Sequence, residues 1–217
     1  MSIFGFSKSQ MVAPDDALPG RSTPVLPHPA PHAVLGTSLT GPWPEGTAVL
    51  YVAMGCFWGA EELYWRLPGI VTTSAGYMGG YTPNPTYEEV CTGRTGQTES
   101  VMVAYDPASI STFDILKAFW ENHDPTQGYR QGNDTGTQYR SAIYYTTAEQ
   151  RELIERTRDS YAQVIRDRGY DDITTEIAPA ESVRYYLAED YHQQYLYKNP
   201  NGYRCHANTG LALPALV

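Results

Sequence analysis

The stretch from residue 48 to residue 59 reads AVLYVAMGCFWG, and it joins a predicted β-strand to a predicted helix. Its first seven residues form a short apolar run rich in β-branched and aromatic side chains, which is typical of a buried strand. After the run, apolar residues recur at helical spacing until a Pro-Gly pair at 68–69 ends the helix. Cys56 therefore lies near a helix N-terminus, where free N–H groups and the helix dipole favour a nucleophilic thiolate.

Cys56 has a second interpretation, as a small hydrophobic residue buried at a tight turn. Free cysteine is among the most often buried residue types, so this is the ordinary role of a lone cysteine. The glycines at 55 and 59 argue against it, because they leave the sulfur approachable from solvent. We therefore expect an accessible, reactive thiol.

The remainder of the chain alternates predicted strands and helices. A helix is predicted behind a Ser111 cap, with Asp114 three residues later, and a long helix is predicted to begin near residues 146–147. Beyond about residue 179 the chain becomes polar, tyrosine-rich and irregular. The further predicted strands span residues 70–77, 100–105, 141–145 and 173–177.

Residues 1–46 differ from the rest because they are rich in proline and have few periodic hydrophobic residues. Such a segment is either a disordered tail or an extended arm laid over the domain, and we expect the arm. Residues 47–217 then form one catalytic domain, since 217 residues is within the range of a single core.

Composition limits the classes of partner. A net charge of −9 argues against nucleic acid and anionic membranes as partners, and no apolar run approaches the roughly 18 residues of a membrane span. No secretory signal is visible, and three cysteines do not make a disulfide framework in a chain of this length. We expect a cytoplasmic monomer.

Four motifs follow one another along the chain. They read GCFWG at 55–59, GGYTPNPTY at 79–87, WENHDP at 120–125, and GND followed by GTQYRS between 132 and 141. In sequence and in order they resemble the motifs of the peptide methionine sulfoxide reductase A family. The resemblance covers roughly residues 45–208, and several long motifs in order are far more specific than one pentapeptide.

The resemblance implies a fold and a chemistry. The fold is α+β, with a mixed central sheet flanked by helices and a ferredoxin-like core. The reaction is reduction of the S epimer of methionine sulfoxide. Cys56 attacks the sulfur, Glu99 is the acid that protonates the departing oxygen, and Cys56 is left as a sulfenic acid. Cys205 in the C-terminal tail is the resolving thiol that condenses with it.

The resemblance also assigns the substrate site. Phe57 and Trp58 form an apolar wall for the methyl group on sulfur, Tyr87 and Tyr139 donate hydroxyl protons to the sulfoxide oxygen, and Asp134 is a further polar group. No resident cofactor or metal is implied, and the reductant is thioredoxin or another external dithiol. The substrates are oxidised proteins or free methionine sulfoxide.

This chain departs from many family members at one point. Those members carry two cysteines in the tail, and the second relays the disulfide outward to the reductant. Residues 206–217 contain no cysteine here. We therefore expect the cycle to stop at a Cys56–Cys205 disulfide, which a thioredoxin-like dithiol attacks directly.

Two other function classes remain open on the residues alone. One is a cysteine hydrolase with His123 or His192 as the base, and the other is a binding module whose aromatic residues grip an apolar ligand. A metal site built on His123, His192 and His206 is not expected, because none of them has the close paired spacing of zinc ligands. Cys91 is interpreted as structural.

Overall fold

Six strands form one mixed β-sheet in the computed structural model, which describes residues 7–205 and 207–216. The four inner strands are the apolar runs of the sequence, namely β1 (Ala48–Met54), β2 (Ile70–Met78), β3 (Thr98–Tyr105) and β6 (Ser141–Tyr145). The edge strands are β7 (Glu176–Pro179) and β8 (Tyr186–Leu187). A separate small hairpin pairs β4 (Arg130–Gln131) with β5 (Asp134–Thr135).

The strand order is β7-β6-β1-β3-β2-β8. The inner strands pair antiparallel, while α1 (Phe57–Trp65) connects β1 to β2 and α3 (Thr112–Glu121) lies between β3 and β6. This is the split βαβ arrangement of a ferredoxin-like core. β7 pairs parallel to β6 after α4 (Ala148–Arg166), which makes the sheet mixed and confirms the expected fold class. The short helices are α2 (Tyr87–Cys91) and α5 (Tyr195–Lys198).

Helices α3 and α4 begin at polar caps. The Ser111 hydroxyl accepts a hydrogen bond from the Asp114 N–H at 3.1 Å, as the sequence predicted for α3. Thr147 accepts one from the Gln150 N–H at 3.2 Å and starts α4. Each cap satisfies an N–H group that has no partner within the helix.

The last predicted strand, at residues 173–177, is wrong in position. Thr174 donates its backbone N–H to the carbonyl of Pro125 at 2.8 Å, and its hydroxyl reaches the same oxygen at 3.0 Å. These bonds tie Thr174 to a loop, so pairing with β6 begins only where Ala142 lies opposite Glu176. Apolar periodicity does not reveal such a competing partner.

The core lies between the sheet and its helices. Inward-facing side chains of β1 and β3 pack against α3, where Phe119 and Trp120 are fully buried. The Trp120 indole N–H donates to the Thr157 hydroxyl at 3.0 Å, which ties α3 to α4. No helix within residues 7–205 or 207–216 is long and apolar enough to cross a membrane.

Residues 7–46 run along the surface of the domain. Arg21 donates to the Asn84 carbonyl at 2.6 Å and pairs with Glu89 at 2.8 Å. Further along, the buried His32 ring bonds the Thr73 hydroxyl on β2 at 2.9 Å. The Pro-rich segment is therefore in contact with the domain at well-separated points.

Candidate active site

Cys56 occupies the turn between β1 and α1. It is the N-cap residue of α1, directly after Gly55, whose φ is +90°. That φ favours glycine, and a Cβ at this position would lie 2.6 Å from Cγ of Gln131. The turn therefore needs glycine both for its conformation and for its close contact with β4.

The surroundings of Cys56 correct the expectation of an approachable thiolate. Only 8% of the residue is exposed. Burial raises the thiol pKa well above its ordinary value, and the nearby Glu99 carboxyl raises it further, whereas a hydrogen bond from the Trp58 backbone lowers it. Loss of hydration at this helix N-terminus outweighs the favourable backbone N–H groups, so the resting sulfur is a covered thiol.

Glu99 is buried on β3 beside Cys56. Its Oε2 accepts a hydrogen bond from the Phe57 N–H at 3.0 Å, and only 1% of the residue is exposed. Burial raises the pKa of Glu99 to about 8. At neutral pH the carboxyl is therefore mostly protonated, and in that form it adds no negative charge beside the Cys56 sulfur.

Two residues of the C-terminal segment fix the Trp58 side chain, one by a hydrogen bond to its indole N–H and one by stacking on its ring. Its indole N–H donates to Nδ1 of His192 at 3.0 Å, and the Tyr195 ring stacks on it with centroids 3.8 Å apart. Phe57 is fully buried and packs against Tyr77 and His192. Tyr195 could not be singled out in the sequence, because one tyrosine among 18 carries no local signal.

Tyr87 and Tyr139 lie close enough to Glu99 for its charge to act on both hydroxyls. Burial raises the pKa of each tyrosine, and the charge of Glu99 raises it further, so both hydroxyls keep their protons. The Cys91 side chain also lies close enough to Tyr87 to raise the pKa of its hydroxyl. The sequence did not predict that Cys91 lies near the Tyr87 hydroxyl, although both residues belong to the short helix α2.

Asp134 begins β5 and is partly buried. Burial raises its carboxyl pKa, and the Tyr203 hydroxyl donates a hydrogen bond to Oδ2 at 3.1 Å. Asp134 also acts electrostatically on Cys56. Asp134 therefore lies near Cys56, at the side where the C-terminal tail approaches.

Cys205 lies against the hairpin β4–β5. Its thiol donates to the Gln131 carbonyl at 3.6 Å. Cys205 and Cys56 line one cleft of about 290 Å³, and both are free thiols in this structure. Because the side chain of Gln131 also packs against Gly55, one residue connects the surroundings of the two cysteines.

His123 and His192, the two candidate bases of a cysteine hydrolase, already form hydrogen bonds to other residues. His123 donates to the Phe119 carbonyl at 2.7 Å and accepts from the Ser141 hydroxyl at 2.8 Å. Burial lowers the pKa of His123 and of His192 to about 4. Within the described residues no group of three or more His, Cys, Asp or Glu side chains could hold a metal ion, and His206 lies outside them.

This chain is similar to known proteins both in sequence and in structure. The profile of the family described as "Peptide methionine sulfoxide reductase" matches residues 48–216. The peptide methionine sulfoxide reductase MsrA of Salinispora tropica is 61% identical over 215 residues, covering 97% of this chain and 96% of the relative. The MsrA of Corynebacterium efficiens is 53% identical over 97% of both chains.

Solved structures agree with these matches. Methionine sulfoxide reductase A of Corynebacterium diphtheriae superimposes with a TM-score of 0.83 at 51% identity, covering 95% of this chain and all of that one. Reduced Mxr1 of Saccharomyces cerevisiae gives a TM-score of 0.66 at 34% identity, over 76% of this chain and 93% of the other.

Fold, site and similarity together define the class of this protein as an oxidoreductase enzyme. The chain belongs to the peptide methionine sulfoxide reductase family.

Proposed function

We propose that this chain reduces the S epimer of methionine sulfoxide, in proteins and as the free amino acid, with Cys56 as nucleophile and Glu99 as acid. One observation carries the proposal: a buried thiol and a buried, protonated carboxylic acid lie together at the N-terminus of α1, where Phe57 N–H binds the acid. A thiol paired with an acid suits oxygen transfer, whereas hydrolysis needs a free base.

The first step transfers oxygen from the substrate to the enzyme. The Cys56 sulfur attacks the sulfoxide sulfur while Glu99 gives its proton to the sulfoxide oxygen. The carboxylate so formed can take up the thiol proton. The substrate sulfur–oxygen bond then breaks and its oxygen, as hydroxyl, bonds to the Cys56 sulfur. The sulfur–sulfur bond made by the attack breaks in turn and leaves its electron pair on the substrate sulfur, so methionine leaves reduced and Cys56 is oxidised to a sulfenic acid.

The surrounding side chains set the orientation of the substrate. We assign Phe57 and Trp58 to the methyl group on sulfur, Tyr87 and Tyr139 to the sulfoxide oxygen, and Asp134 to a further polar contact. The stacked Tyr195 and the His192 bond keep the Trp58 indole in one orientation. A site that holds methyl and oxygen separately distinguishes the two hands of the sulfoxide.

The second step regenerates the thiol. Cys205 attacks the Cys56 sulfenic sulfur, and the resulting disulfide is reduced by thioredoxin or a similar dithiol. Both thiols come from one chain, so the cycle requires no second subunit. We propose that the enzyme acts as a monomer in the cytoplasm, where such dithiols are kept reduced.

Epimer choice tests the proposal. Reduced protein incubated with each epimer separately should release methionine from the S epimer and consume two thiols for each methionine formed. The R epimer should release none, since its methyl group would face the hydroxyls of Tyr87 and Tyr139. Methionine and free thiols are quantified after one turnover, and equal consumption of both epimers would contradict the Phe57–Trp58 methyl wall.

Replacing Cys205 with serine should separate the two steps. The variant should still release one methionine per protein, because the first step needs only Cys56 and its acid. It should then accumulate the sulfenic acid and turn over poorly with thioredoxin. Mass spectrometry after one turnover is the measurement, and a Cys56–Cys91 disulfide in the wild-type protein would instead make Cys91 the resolving thiol.

A further inference from the structure

Arg204, the residue before Cys205, forms a bidentate ion pair with Glu62 on α1. Nε of Arg204 lies 2.7 Å from Oε2 of Glu62, and its Nη2 lies 3.0 Å from Oε1. The side chains are 30% and 13% exposed, so the pair is partly shielded from water. A planar guanidinium bound through two parallel hydrogen bonds fixes direction as well as distance.

The Arg204 guanidinium also forms a hydrogen bond to the backbone of the turn just before it in the chain. Nη1 of Arg204 donates to the Pro200 carbonyl at 2.9 Å, within the turn that precedes the tail cysteine. Its neighbours on both sides are attached as well, Tyr203 to Asp134 and Cys205 to the Gln131 carbonyl. Arg204 therefore joins the turn at Pro200 to the helix that Cys56 caps.

We propose that Glu62 is a positioning residue for the resolving step, holding Arg204 so that Cys205 stays in the cleft that it shares with Cys56. This inference rests on the proposed role of Cys205. Glu62 lies on the helix whose N-cap is Cys56, so one rigid element carries both the oxidised sulfur and the anchor of its partner. Contact with substrate is not part of this role.

Glu62 has a second cationic partner, which provides a control. Arg66 lies 2.7 Å from Oε1 of Glu62 on the next turn of α1, with 68% of its side chain exposed. Arg66 does not connect to the tail through this bond. Removing Arg66 alters the charge beside Glu62 but leaves the link between Glu62 and Arg204 in place.

The step in question forms one bond and breaks another. The Cys205 sulfur attacks the Cys56 sulfenic sulfur, a disulfide bond forms, and the sulfur–oxygen bond breaks. The oxygen leaves as water after taking up the proton lost by the Cys205 thiol. Because the attack is intramolecular, its rate depends on how often Cys205 lies within reach of Cys56.

The test is a single-turnover experiment on full-length Glu62→Gln, Arg204→Gln and Arg66→Gln proteins with S-methionine sulfoxide. Methionine release and the appearance of the Cys56–Cys205 disulfide are followed separately after rapid quenching. Glu62→Gln and Arg204→Gln should form the disulfide roughly three- to tenfold more slowly, the scale of one partly exposed, charge-assisted pair. Methionine release should keep its wild-type rate, and Arg66→Gln should match the wild type in both steps.

A double-mutant cycle excludes a general loss of structure. If Glu62 acts through Arg204, the Glu62→Gln/Arg204→Gln double variant is no slower than either single variant. Additive effects, slowed methionine release, or wild-type disulfide formation in Glu62→Gln would each overturn the inference. If the proposed role of Cys205 as the resolving thiol is wrong, the result is different from any of these, because the Cys205→Ser protein would then still form a disulfide that includes Cys56.

Discussion

Replacing Cys56 with serine should abolish reduction of methionine sulfoxide and leave the fold intact. A serine hydroxyl is a far weaker nucleophile toward sulfur and cannot form the sulfenic acid, so no oxygen can be transferred. Serine is also a favoured N-cap residue, so α1 should begin at the same position. The measurements are methionine release from the S epimer and the thermal unfolding midpoint.

Cys91→Ser is the matched control for that variant. It exchanges the same atoms in a helix near the site but not at the proposed nucleophile. It should retain most of the wild-type methionine release. Turnover by Cys56→Ser, or a complete loss in Cys91→Ser alone, would move the nucleophile away from Cys56.

Glu99→Gln should slow the release of methionine by roughly 10²–10⁴-fold, the usual scale of general acid catalysis. The amide keeps the size of the side chain and can still accept the Phe57 N–H, but its N–H groups are not acidic enough to transfer a proton to the sulfoxide oxygen. Substrate affinity should change much less. A variant that releases methionine at the wild-type rate would leave Tyr87 or Tyr139 as the candidate acid.

The same assignment predicts a pH dependence of the first step. Burial raises the pKa of Glu99 to about 8, so the fraction of protonated acid falls as the pH increases through that value. The rate of methionine release should therefore decline on the alkaline side of about pH 8. Glu99→Gln has no titrating group there, so its slow residual rate should not share that decline.

Local patterns were enough to predict most of the scaffold. The apolar run at 48–54 is β1 at its exact bounds, and 141–145 is β6, because short runs rich in apolar, β-branched and aromatic residues favour a strand that packs on a core. The Ser111 cap and the start of α4 also depend on neighbouring residues alone. The strand at 173–177 failed because Thr174 is bonded to Pro125, which no local pattern encodes.

The family resemblance assigned Cys56 and Glu99 to one site, but their protonation depends on tertiary packing. The sequence predicted an approachable thiolate at a helix N-terminus, and the resemblance assigned an acid to Glu99. In the folded chain both groups lose nearly all contact with water, which raises both pKa values and leaves a thiol beside a carboxylic acid. The degree to which a side chain is desolvated depends on all the residues that pack around it. Those residues come from several segments of the chain, so local sequence patterns do not reveal them.

Contacts between distant segments belong to the tertiary structure alone. Tyr195 stacks on Trp58, and Arg204 forms an ion pair with Glu62. Both pairs join residues more than 100 positions apart in sequence, and the spacing of apolar residues along the chain does not predict such contacts. The chemistry, by contrast, was predicted from the sequence: a cysteine between glycines indicated a reactive thiol, and the family resemblance added Glu99 as the acid and Cys205 as the resolving thiol. Residue types limit which reactions are possible, whereas distance, burial and charge in the folded chain decide which side chains can act together.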